Sequence, residues 1–323
     1  MTAHLYAKYR RILVPLDGST LAEEALSVAG PIAHQLGAEI HLMTAMPPAL
    51  PAAAQFGLPD TTAQPVVGER EHIDAYLDIM VARLARTHGV HAVPTVLEGP
   101  PAERLAQYIR AADIGLVVMT THGRGGLGRL WLGSVADELV RQVTVPVLLL
   151  RHGAHPEGAA FHRIVIALDG TAQSERSLGP ALGLGAAAGG AHYTLVRAVQ
   201  LATPVVTPVG LYPVPEGETL EDLAEAAGGY LEEVADWLRE GGVTVETRVL
   251  VGQPAEEIVT FAAKDGSQLV VVGTRAARGM DRLLQGSVAD LVMRNARQPV
   301  LIVPPVVKGA DRPRAESRAA VKA

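Results

Sequence analysis

The chain contains two copies of one sequence pattern, and this duplication constrains its fold more than any other feature. The segment GSVAD stands at residues 133–137 and again at 286–290. RILVPLDGS at 11–19 likewise returns as RIVIALDGT at 163–171. Since the copies keep their order at a nearly constant spacing, the sequence predicts one domain that occurs twice.

The length of 323 residues agrees with two domains, because a single domain usually has about 100–200 residues. We expect a first domain at 1–151 and a second at 162–305. The segment 152–161 between them is rich in Gly, Ala and polar residues and is predicted to be a linker. Residues 306–323 are polar and aperiodic, which is typical of a flexible tail.

Short apolar runs alternate with helical periods in each copy, which predicts an α/β fold with a parallel sheet and crossover helices. We expect five strands and four helices per domain. Ser19 or Thr20 can cap the first helix. Pro94 cannot donate to a central ladder, so its strand is predicted to be an edge strand. An apolar face of the second helix is predicted from Ile73, Tyr76, Leu77, Met80 and Leu84.

Composition excludes several classes of function. A formal net charge of -6 argues against nucleic acid as a partner, since that affinity rests on clustered Lys and Arg. The chain has no cysteine, which excludes disulfides and thiolate metal sites. No signal peptide and no apolar run long enough to cross a bilayer is found, so we expect no membrane association and a cytoplasmic protein.

Two segments that suit ligand binding follow strands of the first copy. Asp17 comes just after the first strand, and the Gly-rich segment 120–128 follows the fourth strand and leads to Gly133 and Ser134. Glycines let backbone N–H groups approach an anion, and a helix start favours negative charge. The carboxyl ends of strands meet where the strand order of an open sheet reverses, so a polyphosphate site is predicted there. Turn and cap chemistry explains the same residues without any ligand.

Two other phosphate motifs are rejected. The chain has no G-x-x-x-x-G-K-[ST] segment, which excludes a P-loop. Gly123, Gly125 and Gly128 fit G-x-G-x-x-G, but they follow the fourth strand, whereas a dinucleotide fingerprint follows the first. NAD is therefore not the expected ligand.

The sequence resembles the universal stress protein family, whose nucleotide-binding members carry Gly, two residues, Gly, nine residues and then Gly-[Ser/Thr]. The first copy has Thr120 at the first glycine, Gly123 at the second, and Gly133–Ser134 at the end. The second copy has Gly273, Ala276 and Gly286–Ser287. Each copy departs from the pattern once.

The resemblance implies two tandem, Rossmann-like open five-stranded parallel sheets in the strand order 3-2-1-4-5, with helices on both faces. It also implies ATP, with or without Mg²⁺, between the first and fourth strands. The implied nucleotide-binding positions of the first copy are Pro15, Asp17, Ala45, Met119, Thr120, Gly123, Arg124, Gly133, Ser134 and Val135. The matching positions of the second copy are Ala167, Asp169, Ala198, Val272, Gly273, Ala276, Gly286, Ser287 and Val288. Because Gly123 is retained, the first copy is expected to be the tighter binder.

The expected function is that of an adenine-nucleotide-binding regulatory protein of the stress response, without dedicated catalysis. Two alternatives stay open: a slow ATP hydrolase or adenylate-forming enzyme of the same fold, and a ligand-free protein-interaction module. The closing strands PVLLL and PVLIV are expected to pair across the two copies as a built-in pseudo-dimer, since each would otherwise be an exposed edge. A homodimer of such tandems is a further possibility.

The remaining polar residues are given structural interpretations. Glu23 and Glu24 suit the first turn of a helix, where carboxylates complement the dipole. The histidines of helix and strand surfaces are interpreted as solvated; they are His34, His41, His88 and His91. No catalytic residue and no metal site is predicted, and His152 and His155 are assigned to the linker.

Overall fold

A computed structural model describes residues 9–46, 67–121, 133–153, 160–201, 205–207, 210–212, 219–274 and 288–305. The chain divides into two compact units. Ala3–Ala160 forms the first unit, and Phe161–Ala323 belongs to the second. In the described part of the chain, no helix is both long and apolar enough to cross a membrane.

The first unit alternates strands and helices as its sequence predicts. Its strands are β1 (Arg11–Pro15), β2 (Glu39–Met46), β3 (Ala92–Glu98), β4 (Leu116–Thr120) and β5 (Val147–Leu150). Its helices are α1 (Thr20–Leu36), α2 (Val67–His88), α3 (Pro101–Ala111) and α4 (Ser134–Gln142). The strand order is β3-β2-β1-β4-β5, and all neighbours are parallel. The predicted order is confirmed.

The second unit repeats this sheet. Its strands are β6 (Arg163–Ala167), β7 (His192–Val199), β10 (Val245–Val251), β11 (Leu269–Gly273) and β12 (Val300–Val303). Its helices are α5 (Ala172–Glu175), α6 (Leu178–Ala187), α7 (Leu220–Glu240), α8 (Pro254–Lys264) and α9 (Val288–Asn295). The order β10-β7-β6-β11-β12 with parallel neighbours is again 3-2-1-4-5.

Two features of the second unit depart from the expected five strands and four helices. An antiparallel pair, β8 (Val205–Thr207) and β9 (Gly210–Tyr212), adds a small second sheet. The first helix is interrupted at Arg176 and Ser177, so α5 and α6 replace one continuous helix. Pro180 lacks the N–H that would bond the Arg176 carbonyl, which accounts for the break at that point.

The core of each unit lies between the sheet and its helices. All five residues of β4 are buried, which shows that helices cover both faces of this central strand. α1 packs against α2, and α3 packs against α4. β3 is the outer strand of its unit, where Pro94 is exposed, so the edge position predicted from this proline is confirmed.

The helix ends follow local sequence signals. Ser19 caps α1, because its Oγ accepts from Ala22 N at 3.1 Å. Gly37 ends the same helix in the left-handed conformation, with φ 60°. On α2, Leu77, Met80 and Leu84 are buried as the periodicity predicts.

Candidate nucleotide site

The turn after β1 fixes the position of Asp17. One carboxylate oxygen, Oδ1, accepts from Ser19 N at 2.9 Å and from Ser19 Oγ at 2.6 Å. Gly18 between them has φ 78°, a conformation that favours glycine. β1 continues into this turn through Leu16 N, which donates to Met43 O at 2.7 Å. Asp17 is therefore held at the carboxyl end of β1 and at the start of α1.

The second unit has the same turn. Asp169 Oδ1 accepts from Thr171 N at 2.9 Å and from Thr171 Oγ1 at 2.6 Å. Gly170 has φ 85°, and Thr171 caps α5 through Ser174 N at 3.2 Å. The duplication has therefore preserved the geometry of the turn as well as its sequence.

The end of β4 lies beside the start of α4. Thr120 is the last residue of β4, and Thr121 N extends the ladder by donating to Leu150 O at 2.9 Å. Gly133 N donates to Thr121 O at 2.5 Å, so the residues on either side of the Gly-rich segment are in contact. Ser134 is the exposed first residue of α4. This places a helix N-terminus, which favours anions, at the end of a central strand.

Gly273 ends β11 at the position that Thr120 has in the first unit. A Cβ on Gly273 would lie 3.3 Å from Ser174 Cα and 3.4 Å from Gln173 O, so the short helix α5 approaches this backbone closely. Thr274 N continues the ladder by donating to Val303 O at 2.9 Å. The glycine that the second unit retains thus has a packing role at this point.

Most of the expected nucleotide positions of the first unit lie at one edge of its sheet. β1 is parallel to both β2 and β4, and the strand order reverses between β1 and β4. Parallel strands end on the same side, so the following residues share that edge: Pro15, Asp17, Ala45, Met119, Thr120, Gly133, Ser134 and Val135. Gly123 and Arg124 lie outside the described residues.

The second unit follows the same arrangement. The corresponding described residues at its sheet edge are Ala167, Asp169, Ala198, Val272, Gly273 and Val288. Ala276, Gly286 and Ser287 lie outside the described residues. The Gly-rich segment therefore stays a sequence-based prediction in both units.

A tyrosine–glutamate pair next to Asp17 was not predicted. Tyr76 Oη donates to Glu23 Oε1 at 3.3 Å, and Arg83 Nη1 donates to Glu23 Oε2 at 3.1 Å. The pKa of Tyr76 is raised, first by burial and then by the negative charges of Glu23 and Asp17. Glu23 is therefore a hydrogen-bond partner as well as a first-turn carboxylate. Tyr76 is a polar contact on a helix face that was expected to be apolar.

The same pair recurs in the second unit. Tyr230 Oη donates to Glu175 Oε1 at 3.2 Å. The pKa of Tyr230 is raised, first by burial and then by Glu175, with a smaller contribution from Asp169. Each unit thus places a tyrosine and two carboxylates together near the end of its first strand. The pairing of distant residues from two helices is what sequence periodicity could not show.

For one of the four histidines that were interpreted as solvated, this interpretation is wrong. His41 is buried on β2, where Nδ1 lies 2.7 Å from Tyr108 Oη and Nε2 lies 3.3 Å from Glu39 Oε2. Its pKa is lowered, mainly by burial. His91 and His34 are exposed and His88 is half-buried. Within the described ranges, no group of three or more His, Cys, Asp or Glu side chains is arranged to hold a metal ion.

Comparison with known proteins gives the same duplicated pattern. The model of the universal stress protein family matches twice, at residues 8–151 and 160–304. A universal stress protein of Mycolicibacterium smegmatis is 29% identical over 302 residues, which cover 91% of this chain and 97% of that protein. A universal stress protein of Methanocaldococcus jannaschii is 42% identical over 96 residues, which cover 29% of this chain and 56% of that protein.

The fold has a close structural relative over nearly the whole chain. The crystal structure of a universal stress protein from Archaeoglobus fulgidus superposes with a TM-score of 0.70 at 17% identity. The superposition covers 91% of this chain and 98% of that protein. The two matches of the family model together span most of the chain. The chain therefore belongs to the universal stress protein family.

Proposed function

We propose that this protein binds ATP as a regulatory protein of the stress response, and that the first unit holds the nucleotide at the carboxyl ends of β1 and β4. The observation that carries the proposal is the contact between Gly133 N and Thr121 O at 2.5 Å. This contact brings the N-terminus of α4 to the end of β4, where the strand order reverses, at the same sheet edge as the turn that holds Asp17. An anionic group and a polar sugar or base could be recognised together at such a point.

This edge of the sheet has hydrogen-bonding groups that can bind each part of the nucleotide. The N-terminus of α4 has a positive dipole end and, within the described residues, no side chain that caps its N–H groups, which suits phosphate oxygens. The hydroxyl of Ser134 is exposed there and can donate a further hydrogen bond. The Asp17 carboxylate can accept from a ribose hydroxyl or an adenine amino group. Mg²⁺ bound with the phosphates would balance their charge.

One observation supports the ligand-free alternative. Asp17 Oδ1 already accepts two hydrogen bonds from Ser19, and Asp169 does the same with Thr171. Both aspartates therefore have a structural reason to be present, which is to order the first helix of each unit. A protein-interaction module that kept only this role would show the same turns.

The identity of a co-purified ligand separates these functions. Protein purified gently, without added nucleotide, is denatured, and the released small molecules are identified by mass spectrometry. ATP at a substantial fraction of the protein concentration supports the proposal. Nucleotide-free protein that also fails to bind added ATP contradicts it and favours the interaction module.

Incubation with saturating ATP and Mg²⁺ tests the enzyme alternative. Release of ADP or formation of an adenylate at a rate abolished by a change in the site would show catalysis. Unchanged ATP after prolonged incubation supports a regulatory role. The pairing of the closing strands, the homodimer and the cytoplasmic location stay predictions from the sequence.

A further inference from the structure

The two units differ at one strand position beside the proposed site. Ala45 on β2 and Ala198 on β7 are corresponding residues near the ends of their strands. Thr44 precedes Ala45, whereas Arg197 precedes Ala198. A small neutral side chain in the first unit is therefore replaced by a long cation in the second.

The Arg197 guanidinium lies across the turn that follows β6. Its Nη1 is 3.0 Å and its Cζ 3.2 Å from the position that a Cβ on Gly170 would take. On its other side, Cζ is 5.3 Å from the centroid of the Tyr230 ring, within the range of a cation–π contact. The planar group thus occupies the space between the turn and α7.

The Tyr230 ring that Arg197 contacts lies close to a carboxylate of α5. Glu175 accepts a hydrogen bond from the Tyr230 hydroxyl at 3.2 Å, and the negative charge of Asp169 also raises the pKa of this tyrosine. Among the described residues, the Arg197 side chain forms no hydrogen bond or ion pair, and its aromatic contact is with Tyr230. The contacts with the Tyr230 ring and with the turn at Gly170 are therefore the ones that a ligand would have to replace.

In the first unit, the residue that corresponds to Arg197 has a short side chain. Thr44 is only 8% exposed, and its Oγ1 has no hydrogen-bond partner among the described residues. A buried hydroxyl without a partner can bond a ligand that reaches it. The cation of this unit comes instead from α2, where Arg83 pairs with Glu23 at 3.1 Å.

The second unit has no such cation on its helix. Seven residues after Tyr230, at the position that Arg83 has relative to Tyr76, stands Trp237. The arginine near the tyrosine–glutamate pair thus belongs to a helix in the first unit and to the end of a strand in the second. In the second unit this arginine lies against Gly170, in the turn that holds Asp169.

We propose that Arg197 closes the second unit's site to the nucleoside part of an adenine nucleotide, so that each chain binds ATP in its first unit only. The proposal rests on the proposed function. A ligand entering the second unit would have to displace the guanidinium from the Tyr230 ring and from the turn at Gly170. Thr44 sets no such barrier and adds a hydroxyl, so this one position makes the two sites unequal.

Reciprocal exchange of the two residues tests the proposal. Calorimetric titration of the full chain with ATP and Mg²⁺ gives stoichiometry and affinity for the wild type, Arg197→Thr and Thr44→Arg. We expect about one ATP per chain for the wild type, about two for Arg197→Thr and a loss of at least about tenfold in affinity for Thr44→Arg. Arg248→Thr, which removes an exposed arginine on β10, is the matched control and should behave as the wild type.

Each outcome has a defined meaning. Two equal sites in the wild type, or a single site that persists in Arg197→Thr, would overturn the proposal while leaving ATP binding intact. ATP binding by Arg197→Thr alone would support closure by Arg197 and reject binding in the first unit. No binding by either protein would reject the proposed function and the closure together. Because Thr44→Arg changes a buried position and can unfold the unit, Arg197→Thr is the decisive variant.

Discussion

The Tyr76 hydroxyl donates to Glu23 Oε1 at 3.3 Å, and this bond joins α2 to α1 beside the candidate site. Tyr230 and Glu175 form the same bond at 3.2 Å in the second unit. Two helices far apart in sequence are thus tied at the same point in both copies. The hydrogen bond therefore connects two helices near the edge of the sheet where β1 and β4 end.

Loss of the tyrosine hydroxyl should destabilise each unit to a similar extent. Tyr76→Phe keeps the ring and removes one partly buried hydrogen bond, so we expect about 1 kcal/mol less free energy of unfolding. Tyr230→Phe is the matched variant in the second unit and should show a similar loss. Urea unfolding measures both. A hydroxyl that contributes nothing would leave the midpoints of both variants at the wild-type value.

Two helical glycines of the second unit should respond in opposite directions to alanine. On α6, a Cβ at Gly185 would collide with the hydroxyl of buried Tyr193 and lie 2.8 Å from Ala191 Cβ, so Gly185→Ala should cost about 1–3 kcal/mol. On α7, no atom of the described residues lies within 4 Å of the same point at Gly229, so Gly229→Ala should raise the free energy of unfolding by up to about 1 kcal/mol.

Thermal unfolding of the two glycine variants gives the comparison directly. Gly185→Ala should melt below the wild type and Gly229→Ala above it. Tyr193→Phe combined with Gly185→Ala should recover part of the loss, because the hydroxyl is the atom in closest conflict. Equal shifts of the two single variants would refute this account of the packing.

Because His41 is buried, the free energy of unfolding should decrease as the pH falls below the ordinary pKa of histidine. Its folded pKa is lowered by burial, against the opposing charge of Glu39, while the unfolded chain keeps the ordinary value of 6.5. Above pH 6.5, His41 is neutral in both the folded and the unfolded chain, and its burial contributes fully to stability. As the pH falls below 6.5 towards the folded pKa, the unfolded state binds a proton first, so stability is lost.

The comparison of His41 with glutamine isolates this contribution. Between about pH 7.5 and 5.5, the wild type should lose more free energy of unfolding than His41→Gln. Glutamine can still bond Tyr108, whose hydroxyl is 2.7 Å from Nδ1. The pKa of His41 followed by NMR should lie below 6.5 in the folded protein. Parallel pH profiles for the two proteins would show that His41 does not titrate in this way.

Local signals in the sequence predicted the alternation of strands and helices and several of their ends, whereas the strand order came from the family resemblance. Pro94 indicates an edge because a missing N–H is tolerated only there, and β3 is the outer strand of its unit. Ser19 indicates a helix start because its side chain can satisfy a free N–H three residues on. Both signals depend on residues within a few positions, and the duplication repeats the helix cap, with Thr171 in the place of Ser19.

Contacts between elements that are distant in sequence cannot be predicted from such local signals. Tyr76 fits the apolar period of α2, and only the approach of α1 gives its hydroxyl a carboxylate. His41 looks like a surface residue until Tyr108, on α3, covers it. Arg197 is more than thirty residues before Tyr230 in the chain, and only the fold brings it over this ring. The aspartate turns were found by sequence because strand, turn and cap are adjacent in the chain.

A conservative change at Asp17 should separate its ligand role from its structural role. Asp17→Asn keeps an oxygen that can accept from Ser19, so the turn should survive, but it removes the negative charge. We expect ATP affinity to fall by about tenfold, which is about 1.4 kcal/mol, with little change in thermal stability. Asp17→Ala should lose both affinity and stability. Asp169→Asn, the matched change in the second unit, should leave the affinity unchanged.

The Asp17 variants are measured by calorimetry beside a melting curve. A fall in melting temperature for Asp17→Asn equal to that of Asp17→Ala would mean that the carboxylate acts only in the turn. Unchanged ATP affinity in both variants, with folding intact, would place the nucleotide elsewhere.

The central claim, that the first unit binds ATP between the end of β1 and the start of α4, is tested most directly by calorimetric titration of Gly133→Val. Gly133 lies at the start of α4, where a valine side chain would crowd a phosphate group. The wild type should bind ATP more tightly than NAD, and Gly133→Val should lose ATP binding while keeping the wild-type melting temperature. Tighter binding of NAD, or full ATP affinity in a folded Gly133→Val protein, would contradict the claim.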